Sequence, residues 1–258
     1  MVAQRDQFVE LGRTFHELAK ESADHEEVLT DYWDAEEALN WEKLLNERRV
    51  VILSEAGSGK TTEIYSVANR LRKEGKNAFF LRLEHIPSGL ESPFEVGSYD
   101  EFLVWIASDE EGWVFLDSVD ESRLGGPHDF ERAIRLLASR ISNVLHRSHV
   151  IITSRQSAWR AKDDLVFCKE RFPYVEHPSF IKNNEDELST ITLLPDQQIS
   201  KNENKEDLFK IVALADLNSD QVSHFIQARG IKINSYFLMP SNELMHGCLP
   251  LDRKISKN

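Results

Sequence analysis

The sequence predicts a three-layer α/β fold built on a mainly parallel five-stranded sheet, with N-terminal helices before it and the start of a small helical domain after it. Three observations predict this. Five short apolar runs, at residues 50–53, 78–83, 113–117, 149–153 and 209–215, lack the polar alternation of half-exposed strands and read as strands buried on both faces. Segments of helical character lie between them, and parallel neighbours need crossover connections of that kind. Three of the runs end in chemically loaded sequences, SEAGSGKTT, DSVDES and SRQSAWR, so their loops should meet at the C-terminal edge of the sheet, where such folds bind ligands.

In chain order, residues 5–22 carry Phe8, Leu11, Phe15 and Leu18 at spacings of three and four, which predicts an amphipathic helix. The acidic stretch ESADHEEVLTDYWDAEEAL reads as a solvated helical face. A second helix is expected over 34–47, where Ala38, Leu39, Trp41, Leu44 and Leu45 lead into RRVVILS. After the fourth run, the polar segment LPDQQISKNENKED at 194–207 reads as a loose excursion before the last strand. From Asn218 the pattern changes to a helix, DQVSHFIQARG, ending at Gly230 as helices often do. The expected organisation is an N-terminal helical segment (1–47), a core (48–217), and a partial helical domain or C-terminal tail (218–258).

A chain of 258 residues accommodates one substantial α/β core with a small appendage. No apolar stretch approaches the roughly 20 residues of a membrane span, and the start, MVAQRDQFVE, lacks the apolar centre of a secretory signal. Two cysteines, Cys168 and Cys248, stand far apart without metal-ligand spacing, so a reduced, cytoplasmic setting is expected. The net charge of −13 argues against broad nucleic-acid binding, which depends on clustered Lys and Arg.

The loop Glu55, Ala56, Gly57, Ser58, Gly59, Lys60, Thr61, Thr62 follows one buried run and opens a helical segment. A loop that wraps a triphosphate turns backbone N–H groups inward and needs φ > 0, which Gly57 and Gly59 permit. Lys60 would supply a mobile charge to the β and γ phosphates, Thr61 a hydroxyl to Mg²⁺, and the helix N-terminus its dipole. In WVFLDSVDES, Asp117 ends a buried run and is suited to hold Mg²⁺, directly or through water. Asp120 and Glu121 follow one short turn later, and one of them could orient or deprotonate the attacking water. In HVIITSRQSAWR, a Ser or Thr at the strand tip can bond the γ-phosphate or that water, and Arg155 can sense phosphate charge with its planar fork.

Together EAGSGKTTE, FLDSVDES and VIITSR resemble the nucleotide-binding core of the STAND class of P-loop NTPases, most closely the NACHT group. The match spans residues 48–160 well and is weaker over 205–252. The resemblance implies a P-loop NTPase fold, with Lys60 and Thr61 on phosphate and magnesium, Asp117 on magnesium, Asp120 or Glu121 in hydrolysis, and Arg155 as a sensor. It also implies that Pro250, in HGCLPLD, contacts adenine. Ser54 stands where the group's loop has its first glycine, and Ser118 where a glycine follows the metal-holding acid; both are small, so access to the site should survive. Members of the class continue into a winged-helix domain and ligand-detecting repeats, for which this length leaves no room.

The resulting expectation is an ATP-binding, Mg²⁺-dependent and hydrolytic switch of a defence or signalling system that works with a protein partner or as a self-oligomer. Two alternatives stand beside it: a non-hydrolysing regulatory module that co-assembles with a partner, and an AAA+-like ATPase acting on nucleic acid, which the charge disfavours.

Overall fold

The five apolar runs become the centre of one sheet. The computed structural model describes residues 8–18, 38–126, 128–173 and 209–230. Within them strands β1 (Thr14–Glu17), β2 (Leu39–Asn40), β3 (Arg49–Ser54), β4 (Asn77–Arg82), β5 (Phe94–Val96), β6 (Gly112–Asp117), β7 (Ser148–Arg155) and β8 (Phe209–Leu214) form an eight-stranded sheet in the order β2-β1-β8-β3-β7-β6-β4-β5. The central five, β8-β3-β7-β6-β4, are parallel. β1 and β2 extend one margin and β5 the other, all antiparallel. The expected five-stranded, mainly parallel sheet is thus corrected to a mixed sheet of eight strands.

Side chains alternate between two cores along each central strand, as the two-residue repeat requires. Val51, Leu53, Val114, Leu116, Val150 and Ile152 face one core. Val50, Ile52, Trp113, Phe115 and Ile151 face the other. Helices cover both: α1 (Trp41–Leu44) and α2 (Lys60–Lys73) pack on the second core, and α3 (Tyr99–Ala107), α5 (Asp129–Arg140) and α6 (Ala161–Arg171) on the first. Full burial of each such aliphatic or aromatic side chain contributes about 1.5–3 kcal/mol. Helix α4 (Val119–Gly125) begins just past the end of β6, and Val119 anchors it in the first core.

The N-terminal segment differs from its sequence expectation. The described part of 5–22 is extended rather than helical, and β1 pairs with β8 through Phe15↔Leu214, while the Leu18 amide donates to the Ile211 carbonyl at 2.9 Å. Residues three apart share a helix face but lie on opposite faces of a strand. Accordingly Phe15 enters the second core, edge-on to Trp41 at 5.0 Å, and Leu18 the first. The helix expected over 34–47 shrinks to the single turn α1, because Leu39 pairs with Phe15 and the Asn40 side chain accepts from the Lys43 amide at 2.9 Å, starting the helix there. Residues 34–37 of that helix lie outside the described residues, as do 194–207, Cys248 and Pro250.

The chain divides into two units, Met1–Asp216 and Leu217–Asn258. The second contains α7 (Ser219–Arg229), which opens with a reciprocal capping box between Asn218 and Gln221 and closes at Gly230 with φ 62°. Among the described residues no helix is long and apolar enough to cross a membrane.

Candidate functional site

Ser54, Asp117 and Arg155 end β3, β6 and β7, three strands that are neighbours in the order β3-β7-β6, so the predicted residues gather at one edge. The glycine-rich loop leaves β3 at the buried Ser54 and enters α2 at Lys60. Gly57 and Gly59 have φ of 78° and 86°. A Cβ at Gly57 would meet nothing within 4 Å, so glycine is required there by backbone conformation rather than by space. Ser58 Oγ lies 3.0 Å from Ser54 Oγ, donating to it. The serine in place of the first glycine therefore ties the entry of the loop to its middle, a contact glycine cannot make. Glu55, Ala56, Gly57 and Gly59 are exposed, Lys60 and Thr61 half-buried and Thr62 exposed at the start of α2.

Asp117 is fully buried, yet both its oxygens are engaged. Thr61 Oγ1 donates to Oδ2 at 2.7 Å, and Thr153 Oγ1 makes a short hydrogen bond to Oδ1. Two hydroxyls on one carboxylate explain how the charge tolerates burial. The strand-tip threonine thus serves Asp117, and its oxygen also accepts from the Ser118 amide at 3.4 Å. Ser154 Oγ donates to the Arg155 carbonyl at 2.9 Å. Ser118 has φ 70°, the one positive φ among the described non-glycine residues, and it turns the chain sharply from β6 into α4.

That turn presents the next two acids differently. Asp120 Oδ2 lies 2.6 Å from Arg155 Nε, while Asp120 Oδ1 is buried without a hydrogen-bond partner. Glu121 Oε2 is 3.6 Å from Arg82 Nη1. Helix α4 is fixed from behind by Arg123, which spans both oxygens of the buried Asp164 on α6 at 2.7 and 2.6 Å.

Two arginines complete the edge and were not singled out by sequence reasoning. Arg13, just before β1, donates from Nη1 to the Ser58 carbonyl at 2.9 Å and from Nη2 to the Ala215 carbonyl at 2.7 Å. Burial lowers its guanidinium pKa, against the opposing pull of Glu63 and Asp216. Glu63 itself is raised by burial, offset in part by a bond from Trp41 Nε1 at 3.3 Å. The signal for Arg13 was its two-residue spacing from Phe15, a strand pattern hidden by the helical one. Arg82 ends β4 in register with Asp117, and its signal was a charge closing the apolar run beside the one that Asp117 closes.

A cavity of about 1100 Å³ runs along α2, with Arg13, Trp41, Thr61, Tyr65, Asn69 and Lys73 among its walls; it reaches the first turn of the helix but none of residues 55–60 lines it. Among the described residues no group of three His, Cys, Asp or Glu side chains could hold a metal. Thr61 and Asp117 nevertheless offer two oxygen donors 2.7 Å apart beside the glycine loop. Mg²⁺ favours that sparse protein set, completing its shell with phosphate and water oxygens. Comparisons with protein-family models and with curated proteins found no match.

Proposed function

We propose that the chain is the nucleotide-binding core of an ATP-binding and ATP-hydrolysing, Mg²⁺-dependent switch of the STAND class, NACHT-like, acting in the cytoplasm in a defence or signalling system. The observation that carries the reading is the 2.7 Å contact between Thr61 and Asp117, which joins a glycine loop with two left-handed glycines to the acid ending β6. That pairing of a helix-start hydroxyl with a strand-end carboxylate is what a Mg²⁺-nucleotide site needs.

In this mechanism the loop amides and Lys60 hold the triphosphate, and Thr61 and Asp117 would hold Mg²⁺, which supplies charge neutralisation at the phosphates. Glu121 or Asp120 orients a water for in-line attack and takes its proton. Water oxygen bonds to the γ phosphorus as the bond to the β–γ bridging oxygen breaks, and ADP leaves with those electrons. Arg155 stabilises charge on the transferring group. Nucleotide state then biases a self-oligomer or partner complex only through differential affinity for its two arrangements.

ATP-dependent thermal stabilisation tests the reading. Saturation at about 100 times Kd is worth about 2.7 kcal/mol, and Lys60→Ala should abolish it. An unchanged shift in that variant removes the assigned loop; GTP run in parallel decides the base. A binding-only module is the second reading, favoured by the 2.6 Å pair between Asp120 and Arg155, which occupies two of the expected hydrolytic groups with each other. Absence of phosphate release from a protein that binds ATP would select it. An AAA+-like role on nucleic acid has the charge of −13 against it, and lack of DNA binding at low salt would end it.

A further inference from the structure

We infer that Arg82 is a positioning residue that holds Glu121 at the reaction edge and competes with the divalent ion for Asp117. Its guanidinium faces three carboxylates on separate elements: Nη1 lies 3.6 Å from Glu121 Oε2 and 3.9 Å from Asp117 Oδ2, and Nε lies 3.6 Å from Glu95 Oε1 on β5. All three separations exceed those of tight charge-assisted hydrogen bonds, about 2.7–2.9 Å. The cation is shared rather than captured. Its backbone is well held, by the parallel pairing with β6 and by donation of its amide to the Pro93 carbonyl at 2.9 Å.

A purely structural purpose explains little of this arrangement. Arg82 is about a quarter exposed, and loose, partly solvated ion pairs contribute about 0–1 kcal/mol. Asp117 does not depend on it, since both carboxylate oxygens already accept from Thr61 and Thr153. Arg82 puts one positive charge between the acid that would hold the metal and an acid that would direct the water. Asp120 is paired with Arg155 at 2.6 Å, which leaves Glu121, held loosely by Arg82, as the carboxylate free to turn toward a water. The oxygen of Asp117 nearest Arg82, Oδ2, is also the one bonded to Thr61. Thr61 and Asp117 would hold a divalent ion beside Arg82, and the like charge would shift the Arg82 guanidinium away from Asp117 and toward Glu121.

This inference rests on the phosphate-loop reading and makes a prediction of opposite signs that lost packing cannot imitate. In Arg82→Ala, kcat for ATP should fall about 10–100-fold, a part of the 10²–10⁴-fold that a general base provides. Affinity for Mn²⁺, measured by electron paramagnetic resonance with a non-hydrolysable ATP analogue bound, should rise about three- to tenfold, because a like charge has been removed from beside the ion. Arg82→Lys keeps the charge without the fork, so its Mn²⁺ affinity should match the parent while kcat recovers only in part. Weaker or unchanged Mn²⁺ binding in Arg82→Ala overturns the inference, as does unchanged kcat in a parent that turns over. Should Arg82→Ala not fold, an altered Mn²⁺ affinity in Arg82→Lys overturns it equally. If the parent binds the analogue but hydrolyses nothing, the Mn²⁺ measurements alone decide. A parent that binds no nucleotide refutes the phosphate-loop reading itself and this inference with it.

Discussion

Both edges of the sheet bury charge, but they use it in opposite ways. At the edge where the parallel strands begin, Arg49 is 1% exposed and its guanidinium is consumed by main-chain carbonyls: Nε donates to Phe172 at 3.0 Å, Nη1 to Arg48 and Ser148 at 2.7 and 2.5 Å, and Nη2 to Leu145 at 3.1 Å. Burial lowers its pKa to about 10, still charged at neutral pH. Nearby, Arg147 Nη2 donates to the Trp105 and Ile106 carbonyls at 3.3 and 3.1 Å. At the edge where the strands end, Asp120 keeps a buried oxygen without a partner, the Arg82 guanidinium stays 3.6 Å or more from its carboxylate neighbours, and Ser118 sits in a left-handed conformation. Saturated hydrogen bonding fastens β3, β7 and the end of α6 together; at the opposite edge the bonding is left incomplete. Partly satisfied polar groups and local backbone strain are costs, and their clustering at this edge is the ground for proposing a functional site there.

Substitutions at each edge test this contrast. The largest effect is expected at the candidate-site edge: on the proposed function, Glu121→Gln should slow ATP hydrolysis by about 10²–10⁴-fold with nucleotide-dependent stabilisation unchanged. If Asp120→Asn gives that loss and Glu121→Gln does not, the roles of the two acids are exchanged. Next comes the structural edge, where Arg49→Ala should cost about 3–5 kcal/mol in denaturant unfolding, because several buried carbonyls lose their donor. A cost below about 1 kcal/mol would mean that solvent reaches those carbonyls and that the two edges are alike.

A smaller effect of reversed sign is expected at Ser118. Ser118→Gly should raise stability by about 0.5–1 kcal/mol, since glycine adopts φ near 70° without the Cβ penalty. A decrease would show that the serine side chain does more than tolerate the turn. The smallest effect is a slope against pH at the structural edge. His149 stacks on Trp113 with ring centroids 4.7 Å apart, its Nδ1 lies 2.8 Å from the Glu47 carbonyl, and its Nε2 lies 3.0 Å from Arg48 Nη1. With Nδ1 donating and Nε2 accepting, the ring is neutral, and burial foremost holds its pKa below the ordinary 6.5. The unfolded chain then binds the extra proton first, so the stability contributed by the neutral ring is present above about pH 6.5 and declines as pH falls through the window beneath it. Thermal melts of His149→Gln should show a shallower decline over that window than the parent, and an identical slope would exclude the ring as its source.

Much of the candidate-site edge was legible because its determinants are local. A left-handed glycine, a hydroxyl at a helix start and an acid closing an apolar run each declare themselves within a few residues, as Gly57, Gly59, Thr61 and Asp117 do. Central strands were legible for a related reason: burial on both faces removes the polar alternation, and β3, β4, β6, β7 and β8 match apolar runs to within a residue or two. The structural edge was nearly invisible. Arg49 reads as a solvated charge in ERRVVIL, and nothing near it announces acceptors at Leu145 and Phe172, roughly a hundred residues away. Strands of two and three residues, β2 and β5, are too short to show any period.

The order of residues alone shows where buried strands alternate with helices, and which short motifs stand at their ends, because burial pattern and turn chemistry are properties of neighbouring residues. Tertiary structure alone decided that β1 is a strand, since its extended form is chosen by hydrogen bonds to β8 about two hundred residues later and by the two cores on either side of it. It also decided which charges meet. Arg82 stands beside Asp117, and Arg155 reaches Asp120, only because strand register and the turn at Ser118 bring them together. Pairing across a sheet depends on distant segments, and a linear pattern of residue types carries no record of it.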